Sequence, residues 1–169
     1  MQHTRVSDGF ELSQTRRTLP MALLRARELV MDQFRPLLRA HGVTEQQWRV
    51  LRVLQEADGM DASQLASAAN ILAPSLTRIL RTMTSQHLVD VRKDSADGRR
   101  SLIKLSQRGS ELLYEVAPHS AQIYAALEVK LGRRNIDQLL DALEDVILVL
   151  SDARDGGIAR LCPEAQEDA

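Results

Sequence analysis

The 169-residue sequence lacks several features that mark large classes of protein. It has a single cysteine, Cys162, so it forms neither an intramolecular disulfide framework nor a cysteine-rich zinc site. No apolar run approaches the roughly 20 residues that cross a bilayer. The first residues, MQHTRVSDGFELSQTRR, also lack the apolar centre of a signal peptide. These absences predict a cytoplasmic protein without a membrane segment.

Two further absences argue against an enzyme. The sequence has no glycine-rich phosphate-binding loop. Its histidines have neither metal-ligand spacing nor a neighbouring nucleophile motif: His3, His41, His87 and His119. We therefore expect no catalytic residue, no bound metal and no cofactor.

The net charge of −1 hides an uneven distribution of charge. Between residues 70 and 108, eight basic residues oppose three acidic ones, so this stretch carries +5 and the remainder carries −6. A basic middle flanked by acidic ends can hold DNA locally while the rest of the chain repels it. A solvated charged face accounts for the same imbalance, and charge alone therefore does not decide between the two.

Helical periodicity dominates both ends of the chain. Apolar residues spaced three or four apart predict a helix over 19–40, another over 107–131 that Pro118 should kink or split, and a last helix over 136–150. The last helix is too apolar to be left exposed. We therefore predict a helical dimerisation region from residues 18–42 and 107–152, with flexible tails at 1–17 and 153–169.

The middle of the chain changes pattern twice. Thr44 with Gln47 predicts a capping box at the start of one helix, Asp61 or Ser63 caps a short second one, and Pro74 suits the first turn of a third. Two short apolar runs around the polar turn KDSADGRR then predict a β-hairpin. The predicted fold is mainly α with a small β-hairpin wing, a winged helix-turn-helix over residues 43–106.

The third of these helices and the hairpin tip carry the candidate DNA contacts. A helix fits the major groove, where small polar groups and arginine read base edges, and an arginine at a hairpin tip can enter the minor groove. On the helix the candidates are Ser75, Thr77, Arg78 and Arg81. At the tip they are Asp97, Arg99 and Arg100, with Asp97 orienting an arginine. Each of these residues taken singly is equally well explained as an ordinary solvated charge or turn.

The stretch 43–106 resembles the MarR family of bacterial regulators. The resemblance is carried by TEQQWRVLRVL, LAPSLTRILRTM, HLVDVRKDSADGRRSLIKLS and the following QRG. It implies a homodimer whose terminal helices interlock and whose DNA contacts include the D-x-R of the wing, Asp97 and Arg99. The Ser/Thr-rich recognition helix would supply the others, Ser75, Thr77 and Arg78. A homodimer predicts a near-palindromic operator on double-stranded DNA.

Within this family the segments ALLRARELVMDQFRP and HGVTEQQWRV are most similar to the homoprotocatechuate-operon repressor branch. The resemblance implies a repressor of a catabolic or related operon, released from its operator by a small aromatic or heteroaromatic carboxylate. That branch commonly has glycine at the position of Arg78, so its operator sequence is not carried over.

A ligand crevice would draw on the first two helices. Aromatic and thioether walls with one cation suit a planar carboxylate, and the candidates are Arg27, Met31, Phe34, Trp48 and Arg49, with Arg27 as the anchor. The alternative is that the apolar members are core and that Arg27 pairs with Glu28 or Glu45. Two other functions stay open: a ligand-independent or redox-modulated regulator of the same fold, and a helical protein-interaction adaptor that does not bind DNA.

Overall fold

The computed structural model describes residues 18–93 and 101–155 and is mainly α-helical with one β-hairpin. In chain order the elements are α1 (Leu19–Ala40), α2 (Glu45–Gln55), α3 (Ala62–Ala68), α4 (Ala73–Ser85), β1 (Val89–Lys93), β2 (Ser101–Leu105), α5 (Gln107–Leu131) and α6 (Arg133–Asp155). The predicted fold class is confirmed. The predicted N-terminal tail and the hairpin tip lie outside the described residues, and the first residues of the predicted C-terminal tail belong to α6.

Helix boundaries follow the local signals in the sequence. Gly42, with φ of +70°, ends α1 in the left-handed region, and the N–H of Val43 donates to the carbonyl of Leu38 at 3.0 Å. The Thr44 hydroxyl then accepts from the Gln47 N–H, while the Gln47 side chain accepts from the Thr44 N–H at 2.8 Å. This predicted capping box is confirmed.

The helix-turn-helix packs on a continuous apolar core. Helices α2, α3 and α4 each contribute buried side chains to this core, and so do the hairpin and α5. The most completely buried side chains are Leu51, Leu54, Leu65, Leu76, Met83, Ile103, Val50, Val89 and Val116. The buried side of α4 fixes the position of the helix. The opposite, outward face of α4 makes no contact with the core.

The hairpin is antiparallel, with Val89 opposite Leu105 and Lys93 opposite Ser101. Met60, in the loop before α3, extends it by a bridge to Ile103 with two backbone hydrogen bonds of 3.0 and 2.8 Å. Because one edge of the hairpin is tied to this loop, the base of the wing is fixed relative to the helix-turn-helix.

Helix α5 continues through Pro118, so of the two predicted outcomes, a kink or a split, the split is wrong. Before the proline the helix buries Leu112, Leu113 and Val116, and this packing outweighs the loss of one backbone hydrogen bond. The chain divides between Ile123 and Tyr124, inside α5, into two compact units.

The second unit contains the end of α5 and helix α6, joined by Gly132 with φ of +82°. No side chain of α6 over residues 133–151 is buried. Its exposed large apolar residues are Leu139, Leu140, Ile147, Leu148, Val149 and Leu150. In the part of the chain that the structure describes, no helix combines the length and apolarity that a membrane crossing requires.

Candidate nucleic-acid interface

Helix α4 presents a polar face to solvent. Leu76, Ile79 and Met83 are buried, and they hold the helix so that Thr77, Arg78 and Arg81 are exposed while Ser75 is half-buried. All four residues predicted for this helix therefore lie on or beside one accessible face. Hydroxyls and guanidinium groups arranged in this way can donate to and accept from the edges of bases.

The charges on this face are not neutralised by neighbouring carboxylates. Among residues 18–93 and 101–155, neither Arg78 nor Arg81 takes part in an ion pair. The Thr77 hydroxyl donates to the carbonyl of Ala73 at 3.1 Å, which leaves its oxygen free to accept. Neither guanidinium is thus committed to a carboxylate of the described structure, and a polyanionic partner does not have to displace one.

The start of α4 differs from the starts of the two preceding helices. Asp61 caps α3 through a capping box with Gln64, as Thr44 does for α2. Helix α4 has Leu72 at its N-cap, with no hydrogen bond from a capping side chain, and Pro74 in its first turn. In the described structure the first turn of α4 therefore has no capping side chain that accepts from its backbone N–H groups.

The base of the wing is basic as well, and only the base is described. Arg92 is exposed on β1, and Lys104 on β2 contacts the carboxylate of Asp58 at 2.9 Å. The predicted tip residues, Asp97, Arg99 and Arg100, lie outside the described residues.

Arg49, one of the residues predicted for the ligand crevice, lies on α2 and reaches the turn before α4. Its Nη1 donates to the carbonyl oxygen of Asn70 at 3.1 Å, and its Nε is buried with no acceptor in the described structure. Asn70 has a φ of +49°, in the left-handed region that a non-glycine residue rarely adopts. This link between α2 and the turn that joins α3 to α4 is formed by residues 21 positions apart, and no local pattern indicates it.

The remaining crevice candidates lie on α1 and α2. Met31 and Trp48 are half-buried and pack against the core, and Phe34 is buried. Arg27 pairs with the carboxylate of Glu28 and, at 2.7 Å, with that of Glu45. These are the partners that the alternative interpretation named, so an incoming carboxylate must compete with both for Arg27.

Sequence reasoning missed the neighbour that completes this cluster, Arg35. Its guanidinium bonds Glu45 and also the carboxylates of Glu28 and Asp32. The hydrogen bonds that Arg35 donates to Glu28 and Glu45 raise the pKa of Arg35. Arg35 also lines a cavity of about 200 Å³ with Leu38, Arg39, Val43, Thr44 and Glu45.

Glu45 is the acidic centre of the cluster, in the first turn of α2. Partial burial by itself raises the pKa of Glu45, but the hydrogen bonds from Arg35 and Arg27 outweigh it and lower the pKa below 4.5. The carboxylate is therefore ionised at neutral pH and joins α1 to the start of α2. The i to i+3 spacing of Asp32 and Arg35 within α1 signals part of this network, whereas the link to Glu45 depends on the turn between the helices.

Comparison with known proteins identifies relatives of this arrangement. The sequence pattern of the MarR family matches residues 41–100. The chain is 39% identical to the homoprotocatechuate degradative operon repressor of Escherichia coli over 130 residues, which is 77% of this chain and 88% of the repressor.

Two solved structures are similar over most of the chain. NadR in complex with 4-hydroxyphenylacetate superposes with a TM-score of 0.70 at 38% identity, covering 80% of this chain and 96% of NadR. The transcriptional repressor CouR, bound to a 23-mer DNA duplex, superposes with a TM-score of 0.73 at 26% identity, covering 81% of this chain and 99% of CouR.

Proposed function

Because this chain belongs to the MarR family of transcriptional regulators, we propose that it is a homodimeric repressor that leaves its operator when a small aromatic carboxylate binds. The observation that carries the DNA-binding part is the outward face of α4, where Thr77, Arg78 and Arg81 are exposed and both arginines lack ion pairs in the described structure. The relatives are transcriptional regulators, and we propose a regulatory rather than catalytic role for this chain.

In the proposed complex, α4 enters the major groove and the wing lies over the adjacent minor groove. Arg78 or Arg81 donates to guanine, while Ser75 and Thr77 bond base edges or phosphates. At the wing, Arg99 enters the minor groove, Asp97 orients it, and Arg100 neutralises phosphate. The basic stretch of residues 70–108 gives both elements the charge that this arrangement needs. Since the ligand is chromosomal DNA, we expect the protein in the cytoplasm.

The second copy of the chain is proposed from the exposed apolar surface. Helix α1 exposes Leu19, Leu23, Leu24, Leu29 and Val30, and α6 exposes the six residues given above. Large apolar side chains exposed in such numbers are unfavourable in water and typical of an obligate interface. The dimer presents two copies of α4 to successive major grooves, about 10 base pairs apart, on a near-palindromic operator.

The proposed effector follows from the relatives and from the chemistry of α1 and α2. NadR has been solved with 4-hydroxyphenylacetate, a small aromatic carboxylate. Here Met31, Phe34 and Trp48 offer an apolar wall, and Arg27 and Arg49 offer cations. A carboxylate that bonds Arg27 replaces its partners Glu28 and Glu45, so binding is linked to the contact between α1 and α2.

The DNA-binding proposal is tested by gel-shift titration of operator DNA over a range of salt concentrations. Arg78→Ala should weaken binding at every salt concentration and, if Arg78 contacts phosphate, lower the salt slope by about one unit. Arg25→Ala removes the same charge from an exposed position on α1 and serves as the matched control. Equal effects of the two variants would contradict the assignment of α4. Absence of salt-dependent binding by the wild type would favour a protein-interaction adaptor.

The effector proposal needs a separate titration. Aromatic carboxylates are added to the preformed protein–DNA complex, with the corresponding aromatic amides as neutral controls. Release by an acid and not by its amide supports an arginine anchor. Retention of DNA against the whole series would favour a ligand-independent regulator. Oxidant and reductant in parallel samples test the redox-modulated alternative.

A further inference from the structure

Leu72 is an exposed leucine at the start of the helix that carries the candidate interface. Its side chain is 79% exposed, more than any other large apolar side chain on α1 to α4 in the described structure. A single exposed leucine is ordinary on a protein surface, so its position has to carry the argument.

That position is one where a polar residue is normally favoured. The N-cap of a helix prefers Ser, Thr, Asp or Asn, and both α2 and α3 follow this rule with capping boxes. Leu72 occupies the N-cap of α4 without a side-chain hydrogen bond, and it packs into no core. It therefore contributes neither to capping the helix nor to burying apolar surface within the folded chain.

The residues that follow extend the apolar character of this end. Ala73 and Pro74 are also exposed, so the N-terminal tip of α4 is apolar, whereas the polar residues Ser75, Thr77 and Arg78 begin just beyond it. The N-terminal residues of a recognition helix are those that reach base edges. In the major groove the only apolar group on a base edge is the 5-methyl group of thymine.

From this placement we infer that Leu72 is a specificity-determining residue that packs against a thymine methyl group in each half of the operator. The inference rests on the proposed function, because it requires α4 to enter the major groove. The side chains of Ser75, Thr77 and Arg78 then read hydrogen-bonding groups, and Leu72 reads the one apolar group. Each operator half-site should contain an A·T pair whose thymine methyl contributes to affinity.

The experiment replaces single thymines in one half-site by deoxyuridine, which removes only the methyl group. For the wild type, one replacement should weaken binding about fourfold, the effect of losing one buried methyl-sized contact. In the Leu72→Ala variant the same replacement should not change operator affinity. Any loss of affinity caused by deoxyuridine at other thymines should persist. Val91→Ala shortens another exposed apolar side chain, on β1, and should keep the wild-type pattern.

Leu72→Ser separates base contact from helix stability. Serine supplies the missing N-cap, so the variant should unfold at a higher temperature than the wild type. Its operator affinity should nevertheless no longer depend on the methyl group of that thymine. If Leu72 acted only through the stability of α4, operator affinity would rise with the unfolding temperature, and the inference would be wrong.

The outcomes distinguish this inference from the proposed function. The role of Leu72 is refuted if the wild type binds DNA in a salt-dependent way but the effect of deoxyuridine depends on Leu72 at no thymine. The proposed regulatory function would then still stand. Failure of the wild type to bind any duplex refutes both. The contact between Leu72 and a thymine methyl group is established if the affinity loss at one thymine is absent in Leu72→Ala and present in Val91→Ala.

Discussion

Replacing Gly109 by alanine tests how α5 is attached to the hairpin. Gly109 is buried in the first turn of α5, and its N–H donates to the Ser106 hydroxyl at 2.9 Å. A Cβ added here would overlap the carbonyl oxygen of Leu88 and lie 2.9 Å from Cδ1 of Leu105, where ordinary contact begins at 3.4 Å. Because Leu88 contributes backbone, which cannot rotate away, α5 has to move.

Two opposing effects set the expected size of the change. Alanine favours a helix interior over glycine by about 1 kcal/mol. Overpacking costs typically 1–3 kcal/mol, and a clash with backbone belongs at the upper end of that range, about 3 kcal/mol. We therefore expect Gly109→Ala to lower the free energy of unfolding by about 2 kcal/mol.

Urea denaturation followed by circular dichroism measures this difference, at one fixed protein concentration because the stability of a dimer depends on it. Ala121→Gly, at an exposed position of the same helix, is the matched control for propensity and should cost about 1 kcal/mol. If Gly109→Ala were as stable as the wild type or more stable, propensity would outweigh packing and the close approach of α5 to Leu88 would be refuted.

Three further predictions concern Arg49, the carboxylate of Glu45 and the exposed face of α6. Arg49→Met should weaken operator binding about tenfold without changing its salt dependence, because the variant loses the hydrogen bond to the Asn70 carbonyl and removes no phosphate contact. A changed salt dependence in gel-shift titration would place Arg49 on DNA instead. Glu45→Gln should destabilise the protein at neutral pH, where the lowered pKa of Glu45 adds stability. The difference from the wild type should shrink as pH falls below 4.5 and through that lowered pKa, and a pH-independent difference in chemical denaturation would contradict the ion-pair account. Ile147→Asp should shift sedimentation toward the monomer, since Ile147 is exposed on α6, and an unchanged dimer would remove that residue from the interface.

Local signals in the sequence determined the elements and most of their boundaries. Thr44 with Gln47 and Asp61 with Gln64 specify helix starts through bonds between residues three apart, and Gly42 specifies a helix end through its own φ. The apolar stripe of α4 likewise determines which of its residues face outward. These features involve neighbours along the chain, which is why periodicity and residue type predict them. The same reasoning placed Ser75, Thr77, Arg78 and Arg81 on or beside one face.

Tertiary structure decided the contacts that join separate elements. Trp48 and Arg49 are adjacent in sequence but about 100° apart around a helix, and only the packing of α2 shows that Arg49 reaches Asn70. The cluster of Arg27, Arg35 and Glu45 likewise depends on the turn that brings α2 beside α1. Helix α5 runs through a proline because burial before it outweighs one lost hydrogen bond, a balance that no local rule contains. Leu72 reads as an unremarkable apolar residue in the sequence, and its exposure at the uncapped start of α4 is visible only in the fold.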